Sequence, residues 1–281
     1  MRDSITGQTI FNTNQMTRGV DGRPVVLVES DSDQSILAPH MRDEFVRSAP
    51  GFGKRATLLA AELHEANGDD WVIAVVDRDL DGISMPSNVF ATSHYDLEAE
   101  IVFICAPHVS RVVYSHLISE ATTHEAATRL SHLVRGEAVA LAGAIGLMRR
   151  HASVQKLGIS FASLPIQEIV KQGSPGNYIE PAARFACLKA GVPGHQSELR
   201  TAAEAGIDGD DLEYLCNGHD LLIAMCVLIG DMGGHRPSHR DFARGLHASI
   251  DCTLLRRLSV FDPLRDWLLR LAGEEMWDCA A

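Results

Sequence analysis

Residues 72–82 read Val72-Ile73-Ala74-Val75-Val76-Asp77-Arg78-Asp79-Leu80-Asp81-Gly82. Five apolar residues, four of them β-branched, make a run short enough for a strand buried on both faces, as in a parallel sheet. Three aspartates on alternate positions follow at once. A chain that puts such charge at the tip of a buried segment needs a counter-charge there, because carboxylates about 5 Å apart repel by roughly 3 kcal/mol at an effective dielectric of 20. A solvated acidic turn is the simplest reading of this tip. A calcium loop fits its first half, but Asn88 stands where the twelfth-position glutamate is required and the flank is strand-like. A phosphatase of the haloacid-dehalogenase kind also ends a strand in D-x-D, with the first Asp as nucleophile. There a Thr or Val is common two residues after the second Asp, where this chain has Asp81, and the motif usually opens the fold.

A second apolar strand tip gives another reading. Residues 25–29 read VVLVE, and 48 residues separate Glu29 from Asp77, enough for a helix, a turn and a strand. If the two strands are parallel neighbours, their ends lie about 5 Å apart. Glu29 and Asp77 then meet at the carboxyl edge, where open α/β sheets place their sites, with Asp79 on the same face as Asp77. Oxygen-only ligands of this kind suit Mg2+, or Mn2+ in its place, which keeps waters and substrate phosphate oxygens in its remaining positions.

Around this edge the chain alternates strand-like and helix-like segments. Helical spacing covers 33–47 and 55–66, and residues 88–92 (NVFAT) make a further strand. The pattern predicts an α/β fold with a mostly parallel sheet flanked by helices. From about residue 95 the periodicity turns helical, with a short strand-like ISFASL at 159–164 and helices near 179–190, 196–206, 219–230, 240–248 and 261–272. The expected organisation is an edge or flexible segment over 1–22, a metal-binding domain over 23–110, and a mainly helical C-terminal extension over 111–281.

The glutamate in VLVESDSD followed by VVDRDLD resembles the Toprim domain of topoisomerases, primases and OLD-type nucleases. Residues 88–102 (NVFATSHYDLEAEIV), with Asp96-Leu97-Glu98 opening a helix, and Asn217-Gly218-His219-Asp220 are similar to Toprim-like proteins encoded beside ABC-type ATPases. That group includes the nuclease effector of the PARIS anti-phage system. The resemblance covers residues 24–105 well and 205–270 loosely. It implies a Toprim-like fold and a Mg2+-dependent nuclease that hydrolyses RNA, including transfer RNA, or DNA. It also implies an antiviral defence role and an ABC-type ATPase partner. By the same token Glu29 is a metal ligand or general base, and Asp77 and Asp79 are the metal-binding D-x-D. Asp81 extends that pair or caps the turn. Glu98 joins the cluster or serves only as a first-turn acid favoured by the helix dipole. Asp96 is expected to cap that helix, and Asp33 is as readily a cap as a ligand.

Candidate substrate-binding groups are Lys54 at a helix start, His219, and Arg236 with Arg240 in the run HRPSHR (235–240). A second basic group, Arg149-Arg150-His151 with Lys156, reads as a binding patch or a solvated face. His235 and His239 stand four apart, but Pro237 lies between them and the sequence offers no third ligand nearby. Residues 51–56 (GFGKRA) imitate a P-loop, yet no strand is legible before them and Arg55 follows the lysine.

The net charge of −12 argues against nucleic-acid affinity spread over the whole surface. Affinity must then come from metal, local basic groups, a partner, or the groove of a homodimer. The apolar runs read as too short to span a bilayer and the first twenty residues lack a secretory h-region. The six cysteines include no C-x-x-C pair and read as free thiols of a reducing cytoplasm. Two rivals stand beside the nuclease: the D-x-D phosphatase, and a non-catalytic regulatory subunit with an idle site.

Overall fold

The computed structural model describes residues 5–80, 84–118, 123–206 and 212–279. In chain order the elements are α1 (Gly7–Arg18), β1 (Val25–Val28), α2 (Asp31–Leu37), β2 (Arg47–Pro50), α3 (Lys54–Ala66), β3 (Val72–Val76) and β4 (Val89–Ala91). Next come α4 (Leu97–Ile104), α5 (Ala106–Leu117), α6 (His124–Val154), α7 (Ile166–Gln172), α8 (Ile179–Ala190) and α9 (Gln196–Gly206). The last are α10 (Leu212–Leu215), α11 (Gly218–Asp231), α12 (His239–Ala248), α13 (Cys252–Leu255) and α14 (Phe261–Ala272). These residues fall into two compact units, Met1–Ser93 with Ile250–Ala281, and His94–Ser249, rather than dividing at 22/23 and 110/111.

The first unit is built on a four-stranded parallel sheet of order β2-β1-β3-β4. β1 and β3 are central and wholly buried, which is why both read as unbroken apolar runs. β2 (RSAP) is a half-buried edge strand, and its Pro50 is tolerated there because an edge leaves ladder donors unneeded. Its sequence carries no strand propensity, so the expected helix over 33–47 is cut to α2 and a single 3-10 turn over Ala38–His40. Val25, Leu27, Val72, Ala74 and Val76 pack with Ile10, Leu58 and Trp71 in one core cluster.

Ile10 belongs to α1, so the segment expected to be loose or edge-like is a helix laid on α3. Thr6 caps it by accepting from the Thr9 amide, and Gly7 allows the close approach, since a Cβ there would lie 2.5 Å from Leu59 Cβ. The expected free thiols are also corrected in part. Cys252 and Cys279 form a disulfide, while Cys105, Cys187, Cys216 and Cys226 are buried and free. The tail that carries Cys279 is held by a bridge between Met41 and Trp277, and Trp277 stacks on Phe261 with ring centres 5.0 Å apart.

The second unit is helical among its described residues. α6 runs unbroken for 31 residues, from a Thr123 cap to Val154. It is long and apolar enough to cross a membrane, and 56% of its most apolar window is buried in the protein, as in a core helix. Residues 159–164 are not a strand; Phe161 and Leu164 are buried within an irregular connection.

Gly146 on α6 lets α10 approach, because a Cβ at this position would stand 2.2 Å from the Leu215 carbonyl oxygen. We expect Gly146→Ala to destabilise the full chain by about 1–3 kcal/mol in urea titrations. Gly136→Ala on the same helix, with open space around its Cβ, should stabilise it by about 0.5–1 kcal/mol.

Candidate active site

The strand order turns back between β1 and β3, and ligands of open α/β sheets bind beyond the carboxyl ends of strands at such a switch point. Glu29 follows β1 and Asp77 follows β3, with Val28 level with Val75. The Glu29 Oε1 accepts a hydrogen bond of 2.7 Å from the Asp77 amide, so the two strand tips are joined by the glutamate itself. Burial pushes the Glu29 carboxyl up to about 7. The charges of Asp79 and Asp33 push the same way, while the Asp77 amide and Lys54 oppose them. Glu29 therefore sits where a negative charge is poorly supported, which favours any cation that enters.

Asp79 lies just past the tip with φ 50°, in the left-handed region that Asp tolerates better than most residues. Its Oδ2 meets Lys54 Nζ at 2.9 Å, and the same ammonium donates to the Arg78 carbonyl at 3.3 Å. The sequence places Lys54 as a substrate group. Here it serves as the counter-charge of Asp79. Thr92, buried after β4, accepts from the Arg78 amide at 3.1 Å, and Arg78 Nη1 donates to the Ser93 carbonyl. The loop is thus clamped from both sides, a role for Thr92 and Arg78 that sequence reasoning missed. Asp33 is not the helix cap. Ser30 is, and Asp33 at the third helical position bonds back to it in a capping box. Asp81 lies outside the described residues.

Glu29 and Asp77 open on a cleft of about 810 Å3, lined also by Ser30, Asp31, Phe52 and Lys54. That volume suits a nucleotide-sized group. The wall over residues 51–54 is preceded by β2, so a strand does lead into GFGK. It remains unlike a phosphate cradle. The Gly51 and Gly53 amides are already given to the Val28 and Glu29 carbonyls.

In the helical unit the DLE and NGHD segments meet. Asp96 caps α4 by accepting from the Ala99 amide, and its other oxygen accepts from the Gly218 amide at 2.7 Å. Asn217 caps α11, and Asp220 pairs with Arg149 at 2.6 Å. Gly218 is required by packing, since a Cβ would lie 2.3 Å from Asp96 Oδ1. The motif thus works as a joint between helices. Arg149 belongs to that joint and His151 pairs with Glu198, while Arg150 and Lys156 of the second basic group are exposed.

Glu98 stands in the first turn of α4, with His247 Nε2 3.7 Å from its Oε1. The rings of His219 and His239 meet edge to face with centres 4.4 Å apart. His239 titrates below the usual imidazole range, mainly through burial, and it feels His219, Glu98 and His247. Three helices bring these side chains near one another, but among the described residues His239 belongs to no set of three ligand atoms close enough to share an ion. Arg236 and Arg240 are exposed. Among the described residues, one set of three metal-ligating atoms lies within 4.8 Å of one another, and it is His40, Cys252 and Cys279. The carboxylates of Glu29, Asp77 and Asp79 are not among such sets, and Asp79 pairs with Lys54.

The chain matches no protein-family model and no curated protein sequence.

Proposed function

We propose that the protein is a Toprim-like, Mg2+- or Mn2+-dependent nuclease that hydrolyses phosphodiester bonds in RNA or DNA. The observation that carries this reading is the Glu29 carboxylate bonded across the switch point to the tip that bears Asp77. The donor set fits the ion: oxygen ligands only, at a half-buried glutamate whose negative charge burial and the neighbouring Asp79 and Asp33 disfavour. Glu29 and Asp77 would hold it, with Asp79 joining when Lys54 exchanges one partner for another. A bound divalent ion supplies charge for the non-bridging oxygens and acidity for an attacking water. The chain's own contribution is placement. Glu29 holds the tip through the Asp77 amide, Thr92 and Lys54 fix the loop, and Phe52 lines the cleft where a base could lie against it. Lys54, released from Asp79, would be a cation in the cleft for a substrate phosphate.

The defence role, the ABC-type ATPase partner and cytoplasmic action belong to this proposal through the family resemblance. With a net charge of −12, unaided affinity for a polyanion is expected to be weak. Partner control, or a groove shared by a homodimer, fits that charge. His219, Arg236 and Arg240 are proposed as substrate contacts from the helical unit. Glu98, in the first turn of α4, is proposed there as a further carboxylate for a metal ion.

The test is cleavage of labelled RNA and DNA by the full chain with Mg2+ or Mn2+, alone and with a co-expressed ABC-type ATPase. A phosphomonoester serves as the comparison substrate. Metal-dependent scission that chelation stops supports the proposal. Turnover of the monoester alone, with Glu29→Gln fully active, favours the phosphatase. No turnover in any arm, with cellular function intact in Glu29→Ala, leaves the regulatory subunit.

A further inference from the structure

Three metal-ligating side chains, one histidine and two cysteines, converge in the first unit. His40 lies in the 3-10 turn after α2, Cys252 opens α13, and Cys279 lies in the C-terminal tail. One ligand atom from each falls within 4.8 Å of the other two. The sulfurs are joined as a disulfide, so in this form they are not ligands. We propose that, when the two thiols are reduced, His40, Cys252 and Cys279 form a zinc site, and that oxidation to the disulfide expels the ion.

The site is held by bonds that do not depend on the disulfide. The Asp278 amide donates to the His40 carbonyl at 2.8 Å, tying the residue beside Cys279 to the histidine's own backbone. The Arg42 amide donates to the Met276 carbonyl at 2.9 Å, and Arg256 Nη2 donates to the Cys279 carbonyl at 3.0 Å. Trp277 is buried, its Nε1 donating to the Phe261 carbonyl at 3.4 Å. Asp251 caps α13 through the Leu254 amide and so fixes Cys252. Reduction therefore leaves the three ligands on the same scaffold.

The chemistry selects the metal. Two thiolates and an imidazole form a borderline-soft set that favours Zn2+ over Mg2+. A zinc-bound imidazole must be neutral, so binding is expected to weaken as the medium is acidified. The fourth position is left to water or to the carboxylate of Asp251, whose charge His40 already feels. The other four cysteines are buried one by one.

The oxidative step balances with a peroxide as the oxidant. The two thiolates give up two electrons and form the Sγ–Sγ bond. The peroxide O–O bond breaks and accepts both electrons, leaving two hydroxide ions. Zinc keeps its oxidation state and leaves as the hydrated ion, since a disulfide sulfur is a poor donor and one imidazole alone holds the metal weakly.

The test uses the full chain, reduced without oxygen and stripped by chelator, then titrated with Zn2+ against a chromogenic chelator. Co2+ serves as a spectroscopic stand-in. We expect one Zn2+ per chain and a thiolate-to-Co2+ charge-transfer band. Both should be lost in Cys252→Ser and Cys279→Ser, and affinity should fall at least about tenfold in His40→Ala. Peroxide should release the zinc and join the peptides of Cys252 and Cys279. Circular dichroism of each variant checks that loss of zinc is not loss of fold, and His40→Cys should regain binding. Zinc uptake by the reduced chain no greater than that of the Cys252→Ser variant, or zinc retained after the disulfide forms, overturns the proposal. These readouts are of metal and sulfur, so they are independent of any cleavage assay.

Discussion

Replacing Asp77 by asparagine, or Glu29 by alanine, is expected to lower metal-dependent strand scission by roughly a thousandfold or more. A divalent ion supplies several kcal/mol of charge stabilisation in phosphoryl chemistry, and each 1.36 kcal/mol is about tenfold in rate. Glu29 contributes twice over. On the proposed reading it offers one oxygen to a cation, and its Oε1 orients the chain at Asp77 through the 2.7 Å bond to the amide. Glu29→Gln preserves an acceptor for that amide but removes the charge. It should keep the fold and lose the activity, whereas Glu29→Ala should also loosen the strand tip at Asp77. The contrast between the two variants separates charge from placement. A phosphatase with Asp77 as nucleophile would tolerate Glu29→Gln, so the same pair of measurements decides between the two chemistries.

The second large effect is on stability. The Glu29 carboxyl titrates at about 7 in the folded, metal-free protein, above its ordinary 4.5, so the folded state binds this proton more tightly than the unfolded chain does. The penalty for ionising it is absent below about pH 4.5, grows as pH rises through that window, and is complete above about pH 7. Its full size is roughly 2–3 kcal/mol. In chelator, Glu29→Gln should therefore be more stable than wild type at pH 8 by about that amount, and close to it at pH 4.5. Urea titrations at the two pH values measure the difference. Mg2+ at pH 8 should stabilise wild type and leave Glu29→Gln unchanged, because a ligand raises stability only where it binds the native state. Equal stability of the two proteins at both pH values would show that the glutamate carries no such strain.

Much of this was legible in the chain. β1 and β3 are fully buried, and two-sided burial writes itself as VVLV and VIAVV. Helices α8, α9 and α14 fall where apolar spacing and Gly or Pro punctuation put them. Their meeting point also follows, since neighbouring parallel strands bring Glu29 and Asp77 to one edge. Other features were hidden for physical reasons. β2 is a half-buried edge strand whose RSAP has neither alternation nor branched side chains. α1 buries mainly Ile10 and Asn14 among polar residues, so its face is too narrow to register, and its signal was the Thr6 cap. ISFASL buries Phe161 and Leu164 without joining a sheet. The pairing of Lys54 with Asp79 leaves no mark in the sequence, since Asp79 takes the left-handed conformation just past the strand tip. The gathering of His219, His239, His247 and Glu98 depends on three helices crossing, which no local spacing records.

The most direct measurement is Mn2+ binding to the full chain in non-reducing buffer, read from the paramagnetic resonance of the free ion. We expect saturable binding that Mg2+ displaces and that is lost in both Glu29→Ala and Asp77→Ala. Unchanged Mn2+ affinity in both variants would mean that the two strand tips do not share a cation, and the assignment of this edge as a nuclease centre would be wrong.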